Sequence, residues 1–390
     1  MDRRPALHLL IYSELDPAAG GREAWLAYFL PELAARRRFR ELVVHHLRPR
    51  PGDSLPARLA AREDTPLRFL AAPVGLGGGE GPARRFLAFA RSAHAGLRAA
   101  RPGDLVLAVG FQGEALPALG AALSNLVRRR GLRLVTWVRE ASLALVGERR
   151  GSAARAALGA LAHAQLLASA RVIANGADTL ALLERLPWLR GRLALVPNAV
   201  DADRFAAPPP DFVARPLRVG FFGRRIAAKG HPDAQAVASL LAAEPGLELA
   251  AWGAGEASTR SGPLVEHDAL APEEVPAALA ACHVVLVLNR TRRREAGGLS
   301  HALLEAQAAG RLIVAWDNPA HRQVLDPSCA LLVPEGDVGA LARALRGLLA
   351  ADPSALNSLA ARGPAIARAH SPAAHVERFL RAVVDPLLGA

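Results

Sequence analysis

Short apolar runs alternate with longer amphipathic stretches twice along the chain, and this double alternation restricts the fold more than any other feature. In the first series, strand-like runs cover residues 9–12, 41–45, 69–74, 104–109, 132–138, 171–174 and 193–196. Helical stretches at 22–38 (broken by Pro31), 82–101 and 152–170 lie between them. The second series has strand-like runs at 217–222, 247–252, 283–288, 311–316 and 330–333. Its helical patterns fall at 232–243, 299–309, 338–349, 355–370 and 372–388. Strand alternating with helix predicts an α/β fold with doubly wound parallel sheets.

The two series are separated by Ala206-Ala207-Pro208-Pro209-Pro210-Asp211, a stiff proline linker. A chain of 390 residues also fits two domains of roughly 200 each. We therefore expect an N-terminal domain over 1–207 and a C-terminal domain over 208–370. A last helix over 371–390 is expected to pack back toward the first domain. No apolar run approaches the roughly 18 residues that a membrane-spanning helix needs. Met1-Asp2-Arg3-Arg4-Pro5 leads straight into a strand pattern, unlike a secretory signal. Cys282 and Cys329, each in an apolar run, read as buried free thiols in a reducing cytoplasm. His45, His46, His94 and His163 have no spacing that demands a chemical role.

The densest cluster of chemical signals is Gly297-Gly298-Leu299-Ser300-His301-Ala302-Leu303-Leu304-Glu305, closed by Gly310. Gly298 permits a tight turn, and Leu299-Ser300 opens a helix whose first amides lack internal partners. Such a start is a ready anion site, with Glu305 lying further along in an apolar surround. The plainer alternative is a glycine-preceded helix with one satisfied glutamate.

A second cluster ends the first strand of the C-terminal series: Gly223-Arg224-Arg225-Ile226-Ala227-Ala228-Lys229-Gly230. Lys229 is the only lysine, in a chain that otherwise writes its cations as arginine. A compact ammonium beside a planar guanidinium suits a pyrophosphate, one cation for each phosphate. A lone surface lysine in a turn is the alternative. Gly20-Gly21 opens the first helix and lets backbone approach a ligand. Trp252-Gly253-Ala254-Gly255 lacks the third glycine of a dinucleotide fingerprint, which leaves it as a turn beside a ligand. Glu140 ends a strand next to Arg139, either as an acid/base or orienting group or as one half of an ion pair.

The net charge of +12 is uneven. Residues 1–207 carry 30 Arg against 18 acids, whereas 208–390 carry 18 cations against 18 acids. The basic half is compatible with a solvated surface, an anionic membrane or a phosphorylated substrate. Aromatic residues make up 5% of the chain and do not interleave with the arginines, so nucleic acid is not expected as a partner. The cluster Arg36-Arg37-Arg38-Phe39-Arg40 follows a helix bearing Trp25, Phe29 and Leu33, and is the expected contact with an anionic membrane.

Taken together, the chain resembles the family 4 retaining glycosyltransferases of group 1. The resemblance rests on Gly20-Gly21-Arg22-Glu23, Val196-Pro197-Asn198-Ala199-Val200-Asp201, Gly223-Arg224 with Lys229-Gly230, Gly298 to Ala306, and Leu331-Leu332-Val333-Pro334-Glu335-Gly336-Asp337. It runs from about residue 8 to about residue 380. It implies the GT-B fold, with two Rossmann-like domains facing each other across a cleft. It also implies a UDP- or GDP-sugar donor in the C-terminal domain, an acceptor glycan or lipid in the N-terminal domain, and no metal. By position, Arg224 and Lys229 resemble the pair that neutralises the donor diphosphate. Leu299 and Ser300 resemble the helix start that meets the phosphates, Glu305 the carboxylate on the ribose, and Gly20-Gly21 the loop over the donor. A cytoplasmic enzyme, peripheral on the inner face of the membrane, is the implied setting.

One departure stands out. The family pattern has two glutamates eight positions apart, and counting back from Glu305 lands on Gly297. The nearest carboxylate is Glu295, behind Arg292-Arg293-Arg294. Either the loop bulges to bring Glu295 to the sugar, or the sugar is held differently, or transfer is impaired. The last case would make the chain a scaffold that binds nucleotide sugar or a partner enzyme.

Overall fold

A computed structural model of the chain describes residues 2–16, 21–49, 54–60, 66–76, 79–111, 113–139, 153–255, 263–291 and 298–389. Contacts divide the chain into two compact units. The first holds residues 1–175, 179–196 and 375–390, and the second holds 176–178 and 197–374. The proline segment 206–211 therefore lies inside the second unit, and the chain's last residues join the first.

The first unit is built on seven parallel strands: β1 (Ala6–Leu10), β2 (Glu41–His46), β3 (Leu67–Ala71), β4 (Leu105–Val109), β5 (Arg133–Val138), β6 (Arg171–Ala174) and β7 (Leu193–Leu195). Their order is β3-β2-β1-β4-β5-β6-β7, with Leu7 beside Leu42 and Leu105. Strands β1, β4 and β5 are buried nearly throughout, as expected where helices cover both faces. Alternate residues serve the two faces. Leu9, Leu107, Val109 and Trp137 join the core of helix Gly21–Ala35 and the C-terminal segment. Leu10, Val106, Ala108 and Leu134 pack under helices Pro82–Leu97 and Ala115–Arg128. β1 starts earlier than the apolar run suggests because His8 is tolerated inside, with its Nδ1 3.2 Å from His45 Nε2. Burial pushes the His45 imidazole down to about 3 and that of His46 down to about 4, which keeps both neutral in the core.

The helix Gly21–Ala35 runs on through Pro31, where an interruption was expected. Trp25, Phe29 and Leu33 are fully buried. Trp25 donates its indole N–H to His375 Nε2 at 2.9 Å, and Phe29 meets Trp137 and Phe379 edge-on. The arginines that follow are largely engaged within the unit. Arg36 pairs with Glu32, Arg38 with Asp385, and Arg40 grips Asp104 with two bonds of 2.6 and 2.7 Å. An aromatic core captures the apolar face of the helix that precedes the arginine cluster expected to meet a membrane.

The second unit has six parallel strands: β8 (Leu217–Phe222), β9 (Leu247–Trp252), β10 (Val265–His267), β11 (Val284–Val287), β12 (Leu312–Asp317) and β13 (Ala330–Pro334). They are ordered β10-β9-β8-β11-β12-β13. Each expected strand has its counterpart, and the edge strand β10 is additional. The expected helix over 355–370 is two helices, Pro353–Ala360 and Gly363–Ala369, because Gly363-Pro364 interrupts it. Cys282 and Cys329 are buried free thiols, and burial raises the Cys282 pKa to about 12. No helix among the described residues is long and apolar enough to cross a membrane.

Candidate functional site

In the second unit, β8 and β11 are neighbours although two strands separate them in sequence. The connections from these strands leave in opposite directions, and the gap at their carboxyl ends is where open α/β sheets receive ligands. Gly223 and Arg224 follow β8, and Asn289-Arg290-Thr291 follow β11. Gly253 follows the adjacent β9.

Backbone contact fixes the Gly223 and Gly253 loops to each other. Gly223 N–H donates to Trp252 O at 3.0 Å, and Arg225 N–H donates to Ala254 O at 2.9 Å. A Cβ on Gly253 would fall 2.7 Å from the Gly223 carbonyl carbon, inside van der Waals distance. Arg225 is tied sideways: its guanidinium donates to His267 O at 2.7 Å and lies 3.6 Å from Glu266. Arg224 is left exposed beside it. A short turn, Ala227–Lys229, then brings half-buried Lys229 back, its Cβ 3.7 Å from where a Gly223 Cβ would stand. Gly230 ends that turn at φ 81°, its α-carbon so close to β11 that a side chain would strike the Leu288 backbone. Arg290 N–H closes the contact by donating to Ala228 O at 3.1 Å.

The loop that follows β11 re-enters at Gly298, whose φ of 74° suits glycine. The helix runs from His301 to Ala308 with Ser300 at its N-cap position. The Ser300 side chain does not cap it. Two residues hold this loop that sequence reasoning gave no role. Asn198 Nδ2 donates to Leu299 O at 2.6 Å. The Asp178 carboxylate, which clusters with this unit, accepts Gly298 N–H at 3.0 Å. Gly298 N–H already serves a carboxylate, which leaves the Leu299 and Ser300 amides as this loop's candidates for an anion. Asn198 lay within a quoted motif; Asp178 carried no local signal.

Glu305 keeps partial exposure as a residue, yet its carboxyl sits among enough protein to lose its hydration. Burial raises it to about 7, against a smaller opposing pull from Arg204. A carboxyl in that state is converted to an acceptor-only carboxylate by any ligand that donates two hydroxyl hydrogens to it. Behind the site, Glu335 accepts from Thr291 Oγ1 at 3.0 Å and Asn318 Nδ2 at 3.1 Å, while Arg290 forks onto Asp233. Burial lowers the pKa of His321, with Lys229 adding to that effect through its charge. Among the described residues no group of three His, Cys, Asp or Glu side chains gathers as a metal site requires.

The first unit has its own switch point between β1 and β4. Glu114, fully buried after β4, accepts Tyr12 N–H at 2.8 Å and lies 3.5 Å from Arg22. Glu23 accepts the Ser13 hydroxyl. Gly21 begins the helix of this loop. Gly20, Glu140, Glu295 and Gly297 lie outside the described residues. Arg139 precedes that gap, its guanidinium carbon 4.7 Å from the Trp25 ring centre.

Residues 216–351 match the family described as Glycosyl transferases group 1. No curated protein sequence matches the chain. Among solved structures it is similar to sucrose-phosphate synthase from Thermosynechococcus elongatus, with TM-score 0.75 and 18% identity over 99% of this chain and 100% of that one. It is similar to HepE from Anabaena in complex with UDP, with TM-score 0.70 and 15% identity over 98% and 100%. The lipopolysaccharide outer core galactosyltransferase WaaB superposes with TM-score 0.64 and 15% identity over 98% and 99%. The two parallel sheets and these superpositions make the fold GT-B.

Proposed function

From the premise that the chain is a glycosyltransferase of group 1, family 4, on the GT-B fold, we propose that it transfers a sugar, with retention, from a UDP-sugar to a glycan or lipid acceptor at an anionic membrane surface. The observation that carries this reading is the loop after β8 at the β8/β11 switch point, where exposed Arg224 follows Gly223, the Lys229 Cβ comes within 3.7 Å of the Gly223 Cβ position, and Gly223 packs bare on Gly253. Two cations with the amides of Leu299 and Ser300 match the charge and donor needs of a diphosphate. Their charge is worth most as the glycosidic bond breaks and negative charge accumulates on the departing nucleoside diphosphate. In that reading Arg224 and Lys229 supply the stabilisation that a divalent ion gives elsewhere, and no metal is required. Glu305 takes the ribose hydroxyls. UDP is favoured over GDP because a structural neighbour, HepE from Anabaena, binds UDP and UDP-glucose.

Incubation with a panel of UDP- and GDP-sugars, in the presence of a chelator, tests the proposal. Release of nucleoside diphosphate and a thermal shift with one UDP-sugar are expected. A thermal shift without release would favour a nucleotide-sugar-binding scaffold, the outcome that Gly297 left open. No shift with any nucleotide sugar would remove the reading altogether.

A further inference from the structure

The helix Ala115–Arg128 presents a row of apolar side chains to solvent. Leu126 is 79% exposed, Val127 71% and Leu123 61%, with Leu116 also exposed two to three turns earlier. Positions 116, 123 and 127 share one face at helical spacing, so this is a ridge and not scattered residues. Beside it a groove of about 600 Å³ is lined by Leu119, Leu123, Leu126, Leu132 and Leu134. The neighbouring helix Ala153–Ala168 reaches the groove at Ala168. A contiguous apolar surface of this kind on a folded unit marks a binding face.

Charge indicates what the face meets. The three helices of this layer, Pro82–Leu97, Ala115–Arg128 and Ala153–Ala168, contain no aspartate or glutamate. Arg91, His94 and Arg98 form an exposed row along the first helix and its end, and His94 Nδ1 lies 3.8 Å from where a Cβ on Gly120 would stand. Arg129 and Arg130 follow the ridge directly. Arg130 is anchored by bonds to Arg98 O at 2.8 Å and Ala100 O at 3.0 Å, which joins the basic row to the end of the ridge. Leucines flanked by arginines, with no carboxylate in the helices, complement an anionic bilayer: acyl chains for the ridge, phosphate headgroups for the rim. A second copy of the same face would oppose like charges with no acid to offset them.

We propose that the layer centred on Ala115–Arg128 is the membrane-docking face, with Leu116, Leu123, Leu126 and Val127 entering the headgroup boundary of an anionic bilayer. This rests on the reading that the acceptor lies at such a surface, and it replaces the arginine cluster 36–40 as the contact.

The test uses the full chain and phosphatidylcholine vesicles with and without phosphatidylglycerol, with UDP affinity measured in solution alongside. The wild-type chain is expected to sediment with the anionic vesicles at low salt and to ignore the neutral ones. Leu123→Gln with Leu126→Gln should weaken vesicle binding by about tenfold or more, because both side chains lose their transfer into the boundary. Arg129→Gln with Arg130→Gln should weaken it at low salt by roughly fivefold per charge, with less effect at high salt. UDP affinity should stay unchanged in each variant, which also reports a folded chain. Arg36→Gln with Arg37→Gln should bind vesicles as the wild type does. Vesicle binding that survives the leucine changes would overturn this face while leaving a membrane acceptor in place. Absence of any binding to anionic vesicles would remove both, and a dimer that the leucine changes convert to monomers without vesicle binding would assign the face to self-association.

Discussion

The Gly223 carbonyl fills the space that a side chain on Gly253 would need. Two loops thirty residues apart in sequence therefore meet through bare backbone, and the cations that follow Gly223 depend on that contact for their position. Gly253→Ala is expected to force the loops apart, costing about 1–3 kcal/mol as overpacking does, and to weaken UDP binding as well. Gly347→Ala is the control. It lies in helix Val338–Ala350 with nothing within 4 Å of its added Cβ, so it should stabilise by about 0.5–1 kcal/mol. Thermal unfolding and calorimetry with UDP read both effects, and equal behaviour of the two variants would remove the packing argument.

Lys229→Ala is expected to weaken UDP binding by about 1.5–3 kcal/mol, the range for a hydrogen bond to a charged group. Arg224→Ala should do the same. Uridine affinity should hardly change in either variant, since it lacks the phosphates. Calorimetry that finds UDP affinity intact in Lys229→Ala would refute the diphosphate assignment.

Glu305 makes nucleotide binding pH-dependent. Its pKa is raised to about 7 in the free protein, and ribose hydroxyls bind the ionised form, so binding releases a proton below that pH. UDP affinity should therefore fall as pH drops below 7, by up to about tenfold per pH unit. In Glu305→Gln this dependence should vanish, and 2′,3′-dideoxy-UDP should show little of it with either protein. The stability of the free protein moves in the same window. A carboxyl whose folded pKa lies above its ordinary value binds more protons when folded, so stability declines as pH rises from 4.5 to about 7. A pH-independent Kd for the wild type would place Glu305 away from the ribose.

Asp104 governs acid stability of the first unit. Burial alone would raise its pKa, but hydrogen bonds from Arg40 and the amides of Ala6 and Arg101, with His8 Nε2 3.9 Å away, hold it well below the ordinary range. A depressed carboxylate contributes stability above its unfolded value of 3.8, which is lost as pH falls toward the folded pKa. Breaking the pair with Asp104→Ala leaves Arg40 uncompensated and should cost about 3–5 kcal/mol at neutral pH. The difference from wild type should shrink on acidification below pH 3.8. Urea unfolding across pH measures it, and a constant difference would show that the carboxylate charge is not what stabilises.

The alternation of apolar runs and amphipathic stretches by itself determined the sheets, because strands buried on both faces must be written as near-continuous apolar segments. Among the described residues only β10 escaped it: Val265-Glu266-His267 is three residues at a sheet edge, too short and too polar for periodicity to register. The glycines at 230 and 298 were equally legible, since their positive φ is a local need, whereas Gly223 and Gly253 answer to a contact thirty residues apart. Tertiary structure alone decided what those glycines touch, that Asn198 and Asp178 hold the Leu299 loop from a hundred residues away, and that Glu305 loses its water. It also decided which amphipathic helix turns its leucines outward. The helices Gly21–Ala35 and Ala115–Arg128 both offer apolar residues on one side, but Trp137, His375 and Phe379 cover Trp25 and Phe29, whereas no described residue covers Leu123 and Leu126. Periodicity states that a face is apolar; whether that face is filled depends on aromatic residues that the chain brings from more than a hundred positions away.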